Sequence, residues 1–192
     1  MDPYFLNVMT LNLVAIGKVD GEEMMILADT LRQVFSLSCH VMPVGLDPGP
    51  SFHWERKQHH SSELLYAMQN LAGSNNAKLL GVANVDLYIP ILTFVFGEAQ
   101  MSGACAVIST YRLRQEFYGL PADTGLLRDR VTKEAVHELG HTFGLVHCED
   151  YECAMASSHS VEWIDLKGKF LCVACQKQLA SAGNFVPDAT RF

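Results

Sequence analysis

His137-Glu138-Leu139-Gly140-His141-Thr142-Phe143-Gly144-Leu145-Val146-His147-Cys148 is the stretch on which the reading of this chain turns. It sets three imidazoles, a carboxylate and a glycine at the spacing H-E-x-x-H-x-x-G-x-x-H. His137 and His141 are four apart, so on a helix their rings share one face and are close enough to hold one ion. Glu138 lies about 100° further round the helix, placed to reach a water on that ion rather than the ion itself. Gly144 can end the helix at a positive φ and send His147 back to the same ion. Three neutral imidazoles leave a zinc ion doubly charged, with a fourth position for water, whose pKa falls to about 7. The pattern predicts a catalytic zinc held by His137, His141 and His147, with Glu138 as general base. Leu139, Phe143 and Leu145 read as core residues.

Cys148 directly follows His147 and opens a second group with Cys153, Cys172 and Cys175. Four thiols ending in a C-x-x-C pair suit a closed, tetrahedral, structural zinc site. Reading Cys172 and Cys175 as a redox dithiol requires a strand-helix-strand context that the neighbouring sequence does not offer. A metal here ties the helix exit to the last helix and adds folding free energy to a segment with few apolar anchors. Because the two ligand sets share backbone, a disturbance of one is expected to reach the other. Cys39 and Cys105 stand in apolar surroundings and read as buried, inert thiols. His159 is a spare ligand candidate that reads better as a solvated loop residue.

The chain has 192 residues, of which 49% are hydrophobic, enough for one domain with a real core. Fourteen basic against 21 acidic residues give a formal charge of -7. That balance argues against nucleic acid or an anionic membrane as partner and mildly favours cationic peptides. The apolar run from Tyr4 to Ile16 lacks the basic start and small-residue cleavage site of a signal peptide, and reads as a first strand. Leu79 to Phe96 is broken by Asn84, Asp86 and Pro90, which argues against a membrane-spanning helix. A soluble, cytoplasmic protein is expected; nothing in the sequence indicates an oligomeric state.

After the first strand, Asp20 caps a helix in which Met24, Ile26, Leu27, Leu31, Val34 and Phe35 recur at helical spacing. A strand from Ser38 to Val44 follows, ended by the Gly45-Leu46-Asp47-Pro48-Gly49-Pro50 loop. A second helix runs from Ser61 or Ser62 to about Leu71 and closes at Gly73-Ser74-Asn75-Asn76. Strands are expected at Lys78 to Val85, Leu92 to Phe96 and Ala104 to Ser109, the last two around Gly97 and Gly103. Thr124 to Val146 reads as the histidine-bearing helix, then a polar, Cys-bearing loop and a short helix from Ala174 to Ala182. No repeat or low-complexity segment is present.

The long histidine motif, the adjoining cysteine, Cys153-Ala154-Met155 and Cys172-Val173-Ala174-Cys175 resemble the archaemetzincin branch of the metzincin metallopeptidases. Gly81 to Asp86, Phe96-Gly97-Glu98-Ala99 and Ser109 to Leu113 are also similar to that family. The resemblance implies an α+β, zincin-like, α-β-α layered domain with a twisted mixed sheet, an active-site helix and a small zinc-stapled C-terminal segment. On this view residues 1–192 form one catalytic domain, with a subdomain at 1–146 carrying the active-site helix and another at 147–192 carrying the four cysteines. Two zinc ions per chain are implied, one catalytic and one structural. Met155 then forms the floor of a Met-turn, although spacing alone reads it equally as core. Some metzincins place a tyrosine ligand two residues after that methionine; here the residue is Ser157, and no such ligand is expected.

The resemblance implies a peptide or protein substrate laid along an edge strand above the zinc, supplied by the Leu92 to Phe96 and Ala104 to Ser109 region. The loop Ser51-Phe52-His53-Trp54-Glu55-Arg56-Lys57-Gln58-His59-His60 reads as a solvated connection. Two functions remain: a zinc peptidase driven by Glu138, or a non-catalytic zinc scaffold recognising a partner's carboxylate or chain terminus. Glu138 beside a complete ligand set favours the enzyme.

Overall fold

The computed structural model describes residues 9–72 and 76–181. Positions 4–8 of the expected first strand, 73–75 after the second helix and 182 at the end of the last helix lie outside them. The chain begins β1 (Thr10–Ile16), α1 (Gly21–Phe35) and β2 (Ser38–Val41). Asp20 caps α1 as expected, its carboxylate accepting the Glu22 and Glu23 N–H groups at 2.8 and 3.2 Å. There follow β3 (Phe52–His53), β4 (Gln58–His60), α2 (Ser61–Gln69), β5 (Ala77–Ala83), β6 (Leu87–Tyr88), β7 (Gly97–Ala99) and β8 (Cys105–Ser109). The last elements are α3 (Thr124–Thr142), α4 (Val161–Leu166) and α5 (Val173–Ser181).

The main sheet has the order β2-β1-β5-β8-β7; the first four strands are parallel and β7 runs antiparallel along the edge. Alternation along the strands separates two faces. Leu11, Leu13, Leu80, Val82, Ala106 and Ile108 pack under α1 and α3, whereas Val14, Ile16, Leu79, Ala83, Cys105 and Val107 pack under α2. The result is the expected α-β-α layering. Gly81 in β5 allows Ile16 and Met68 to meet across its missing side chain. Cys39 and Cys105 are buried, and burial pushes the Cys39 thiol up to about 12, as befits inert packing residues.

Three expectations need correction. No strand forms over Leu92 to Phe96. Pro90 to Leu92 turn outward, and the Leu92 and Thr93 carbonyls accept hydrogen bonds from the Arg56 guanidinium at 2.7 and 3.0 Å instead of pairing in a sheet. Only Val95 bridges, to Leu87, and the edge strand starts at Gly97. The 51–60 connection is not a solvated loop: β3 and β4 form a hairpin that pairs through β4 with β6 in a second, three-stranded sheet. Gln58 is buried there, its amide bonded to Asp86 and to the Thr93 carbonyl. Finally, the histidine helix stops at Thr142 rather than Val146, and α4 forms within the segment read as loop.

Gly81→Ala is expected to destabilise the fold by about 1–3 kcal/mol, because the added methyl would sit 2.6 Å from Ile16 Cδ1 and 2.7 Å from Met68 Sδ. The urea midpoint should fall with an unchanged m-value; an unshifted midpoint would show that the two side chains move apart freely.

Candidate metal centre

The helix α3 is capped by Asp123, which accepts the Leu126 N–H at 2.9 Å, and it carries His137 and His141 on its last turns. Beyond it Gly144 takes φ 88°, a conformation that side chains with a Cβ resist. The reversal brings His147 back, with ring centroids 5.2 Å from His137 and 5.1 Å from His141, while those two are 4.7 Å apart.

Hydrogen bonds decide which ring nitrogen is free. His137 Nδ1 donates to the Ala154 carbonyl at 2.9 Å, and His141 Nδ1 donates to the Leu145 carbonyl at 2.7 Å. That leaves each Nε2 as the lone-pair nitrogen, and the two Nε2 atoms lie 3.1 Å apart. Lone pairs at that separation repel unless a cation lies between them. Tetrahedral zinc with bonds of about 2.0–2.1 Å sets ligand nitrogens about 3.3 Å apart, so the donor set fits the ion. One ring nitrogen from each of His137, His141 and His147 lies within 4.8 Å of the others. Burial holds all three histidines below their ordinary range, most strongly His137, where the Lys167 ammonium adds to it. They are therefore neutral, the form that ligates.

Glu138 is buried beside the edge strand. A Cβ on Gly97 would stand 2.6 Å from Glu138 Cγ and 2.8 Å from the Val107 carbonyl, so only glycine lets β7 approach this carboxylate. Burial pushes the Glu138 carboxyl well above the ordinary carboxylate range, with Glu134 and Glu98 reinforcing and Lys167 opposing. Met155 is fully buried against Gly140, where an added Cβ would run into its sulfur. His159 is exposed and stands outside the ligand group.

The four expected cysteines also converge, their Sγ atoms within 4.8 Å of one another. Cys148 and Cys172 Sγ are 3.8 Å apart, far beyond a disulfide bond and at the separation that four Zn–S bonds of about 2.3 Å impose on a tetrahedron. The Cys172 N–H donates to Cys153 Sγ at 3.3 Å. Backbone links join this cluster to the histidines: the Cys148 N–H donates to the Met155 carbonyl, the Ala154 N–H to the Phe170 carbonyl, and the Ala154 carbonyl holds His137.

Behind His137 lies a feature that sequence reading missed. Lys167 and Glu134, 2% and 3% exposed, pair at 2.9 Å, and the ammonium also reaches the Ala156 carbonyl at 3.3 Å and lies 3.5 Å from His137 Nδ1. Glu134 stands one turn before His137 on α3, a signal of the right face. Its partner, however, is 33 positions away on a loop that no periodicity marks.

Comparison with known proteins places these features. The family model described as Peptidase family M54 matches residues 47–181. The archaemetzincin of Methanocaldococcus jannaschii is 37% identical over 179 residues, covering 93% of this chain and 97% of that protein. Among solved structures, a zinc-dependent peptidase from Methanocorpusculum labreanum aligns with a TM-score of 0.79 at 30% identity, over 88% of this chain and 99% of that one. The archaemetzincin from Methanopyrus kandleri aligns with a TM-score of 0.78 at 31% identity, over 93% and 97%.

Replacing Lys167 by methionine strands Glu134 in the interior, and a loss of about 3–5 kcal/mol in unfolding free energy is expected. Adding Glu134→Leu should recover most of it. A double variant no more stable than the single one would show that the ion pair has no apolar substitute here. Cys172→Ser should lower zinc at both sites in metal analysis, since the Ala154 strap spans them; full occupancy of the histidine site would show the two to be independent.

Proposed function

The chain belongs to Peptidase family M54, the archaemetzincins, and is a zinc-dependent metallopeptidase with one catalytic and one structural zinc; from that footing we propose the following roles for its residues. His137, His141 and His147 hold the catalytic zinc, and Cys148, Cys153, Cys172 and Cys175 hold the structural one. Glu138 is the general base. Met155 is the floor of the Met-turn beneath α3. The observation that carries the assignment is the pair of free Nε2 atoms facing each other at 3.1 Å, with their Nδ1 protons committed to carbonyls.

A zinc ion bound there supplies Lewis acidity, polarising the amide carbonyl and making water more acidic. The chain's own residues do the rest. β7 is the edge of the main sheet, so its outer backbone groups are open to an extended peptide. Its glycine brings that strand against Glu138, which places the scissile amide of such a peptide beside the carboxylate. Glu138 takes a proton from the attacking water and returns it to the leaving nitrogen. A carboxylate raised by burial suits both duties, because it holds the proton firmly enough to deliver it. The Lys167–Glu134 pair lies behind the ligand and is assigned no chemical step.

We read residues 1–146 and 147–192 as the two walls of one catalytic domain, the second anchored by the four-cysteine zinc. No helix among the described residues is long and apolar enough to cross a membrane. Six cysteines with no disulfide among them suit a reducing, cytoplasmic setting.

Glu138→Gln should keep two zinc ions per chain and lower kcat/KM on a peptide library by about 10²–10⁴-fold. Equal cleavage by variant and wild type would reject Glu138 as base, and absence of cleavage by either would favour a binding scaffold.

A further inference from the structure

The metal centre is not at the place where a sheet of this topology ordinarily takes a ligand. From β1 the chain passes through α1 to β2 on one side, then returns through α2 to β5 on the other. The two helices cover opposite faces, so the strand order reverses between β1 and β5, and the crevice beyond their carboxyl ends is the switch point of the sheet. The metal lies at the opposite end: α3 starts after β8 and runs back, and its last residue, Thr142, accepts a hydrogen bond at 2.8 Å from Lys78 at the start of β5.

At the switch point there is a cavity of about 260 Å³ between α1 and the first half of α3. Its inner wall is apolar, made by Met24, Leu27, Val82 and Val131. Thr110, just beyond β8, turns its hydroxyl proton to Asn84 Oδ1 at 3.1 Å and the Ala83 carbonyl at 3.3 Å, and Arg114 supplies a guanidinium whose contact with Thr110 Oγ1 is long, at 3.4 Å. Among the described residues no carboxylate lies within ion-pair distance of Arg114. The other cation of the wall, Arg128, is already paired, binding both oxygens of Glu23 at 2.8 Å.

We propose that this cavity binds a small monocarboxylate with a short apolar body, its carboxylate on the Arg114 guanidinium and its chain against Met24, Leu27, Val82 and Val131. A half-buried guanidinium with spare donors is the group that recognises a carboxylate in a fork geometry. Asp20 and Glu23 on the same wall repel a multiply charged anion, which disfavours phosphate and selects single charge. The volume lies just under the span of about 300–1,000 Å³ typical of drug-sized ligands, which sets the size class below a peptide. The site uses only the amino-terminal half of α3 and stands apart from the peptidase assignment.

Methionine methyl NMR on the zinc-loaded full chain separates the two ends of α3, because Met24 lines the cavity and Met155 packs beside the histidines. Titration with 4-methylpentanoate should shift Met24 saturably at millimolar concentrations, and isopentylamine, which lacks the carboxylate, should not. Arg114→Gln should weaken the effect about tenfold or more while peptide cleavage is retained. Leu127→Phe, which fills the cavity with Arg114 intact, should abolish it and gives a second route if the first variant folds poorly. A shift confined to Met155, an equal response to the amine, or unchanged affinity in Arg114→Gln would each overturn the proposal.

Discussion

Everything around α3 serves one electrostatic constraint: imidazole lone pairs must point at a common spot, an arrangement that is unfavourable until a cation occupies it. A neutral imidazole left to itself would rotate and donate to its neighbour. The Ala154 and Leu145 carbonyls prevent this by taking the Nδ1 protons of His137 and His141. The energy of metal binding then becomes folding energy for whatever holds those carbonyls in place. Leu145 is held by the turn at Gly144, whereas Ala154 is held by the Phe170 carbonyl and lies beside Cys153. The four-thiol cluster thus adjoins the histidine group through the Ala154 backbone, beside the direct chain link from His147 to Cys148.

The same requirement explains why α3 is buried on nearly all sides yet is rich in charge. From Thr132 to Gly140 every residue is buried, including Lys133, Glu134, His137 and Glu138. The buried charges other than Glu138 find partners: Arg130 grips both oxygens of Asp165, Lys133 pairs with Asp129, and Glu134 pairs with Lys167. Such pairs seldom add net stability over apolar packing. They do fix where the segment from 156 to 167 lies on the helix, because a shift of one residue would leave a charge unpaired in the interior. Two of the three pairs reach across to that segment, which directly follows the Ala154 and Met155 turn.

Local patterns account for what could be read from the sequence. The three histidines and four thiols that converge in the structure were legible, because their H-x-x-x-H and C-x-x-C spacings are short and local. The helix α1 was legible too, since Asp20 and the apolar spacing after it are local signals, whereas the layering came with the family resemblance. The edge strand was misplaced because its position depends on a contact outside it: Gly97 reads as a strand breaker, yet it starts β7 because nothing larger fits against Glu138. The hairpin at 52–60 escaped notice for a similar reason. Its strands are short and polar, and they are held by Arg56 stacking on Tyr88 and bonding the 92–93 carbonyls, contacts some 30 positions away. Lys167 belongs to the same class, a polar residue whose meaning lies with a distant partner.

The two ends of α3 show how one helix can separate tasks. Its carboxyl-terminal half gives up regular amphipathicity to hold ligands and buried ion pairs. Its amino-terminal half keeps an ordinary apolar stripe, Leu127 and Val131, which borders the cavity beside α1 and packs against Phe96, Leu113, Val161 and Ile164. Position 131 is six residues before His137, which places the two on different faces as well as at different levels. The stripe can therefore border a cavity without touching the ligand geometry, and the metal half can be rigid without filling that cavity. What joins them, besides the helix backbone, is the core that Leu80, Val82 and Ile108 form with Val131, Ala135, Val136 and Leu139, so that the packing of α3 on the sheet sets the level at which His137 and His141 meet the Ala154 strap.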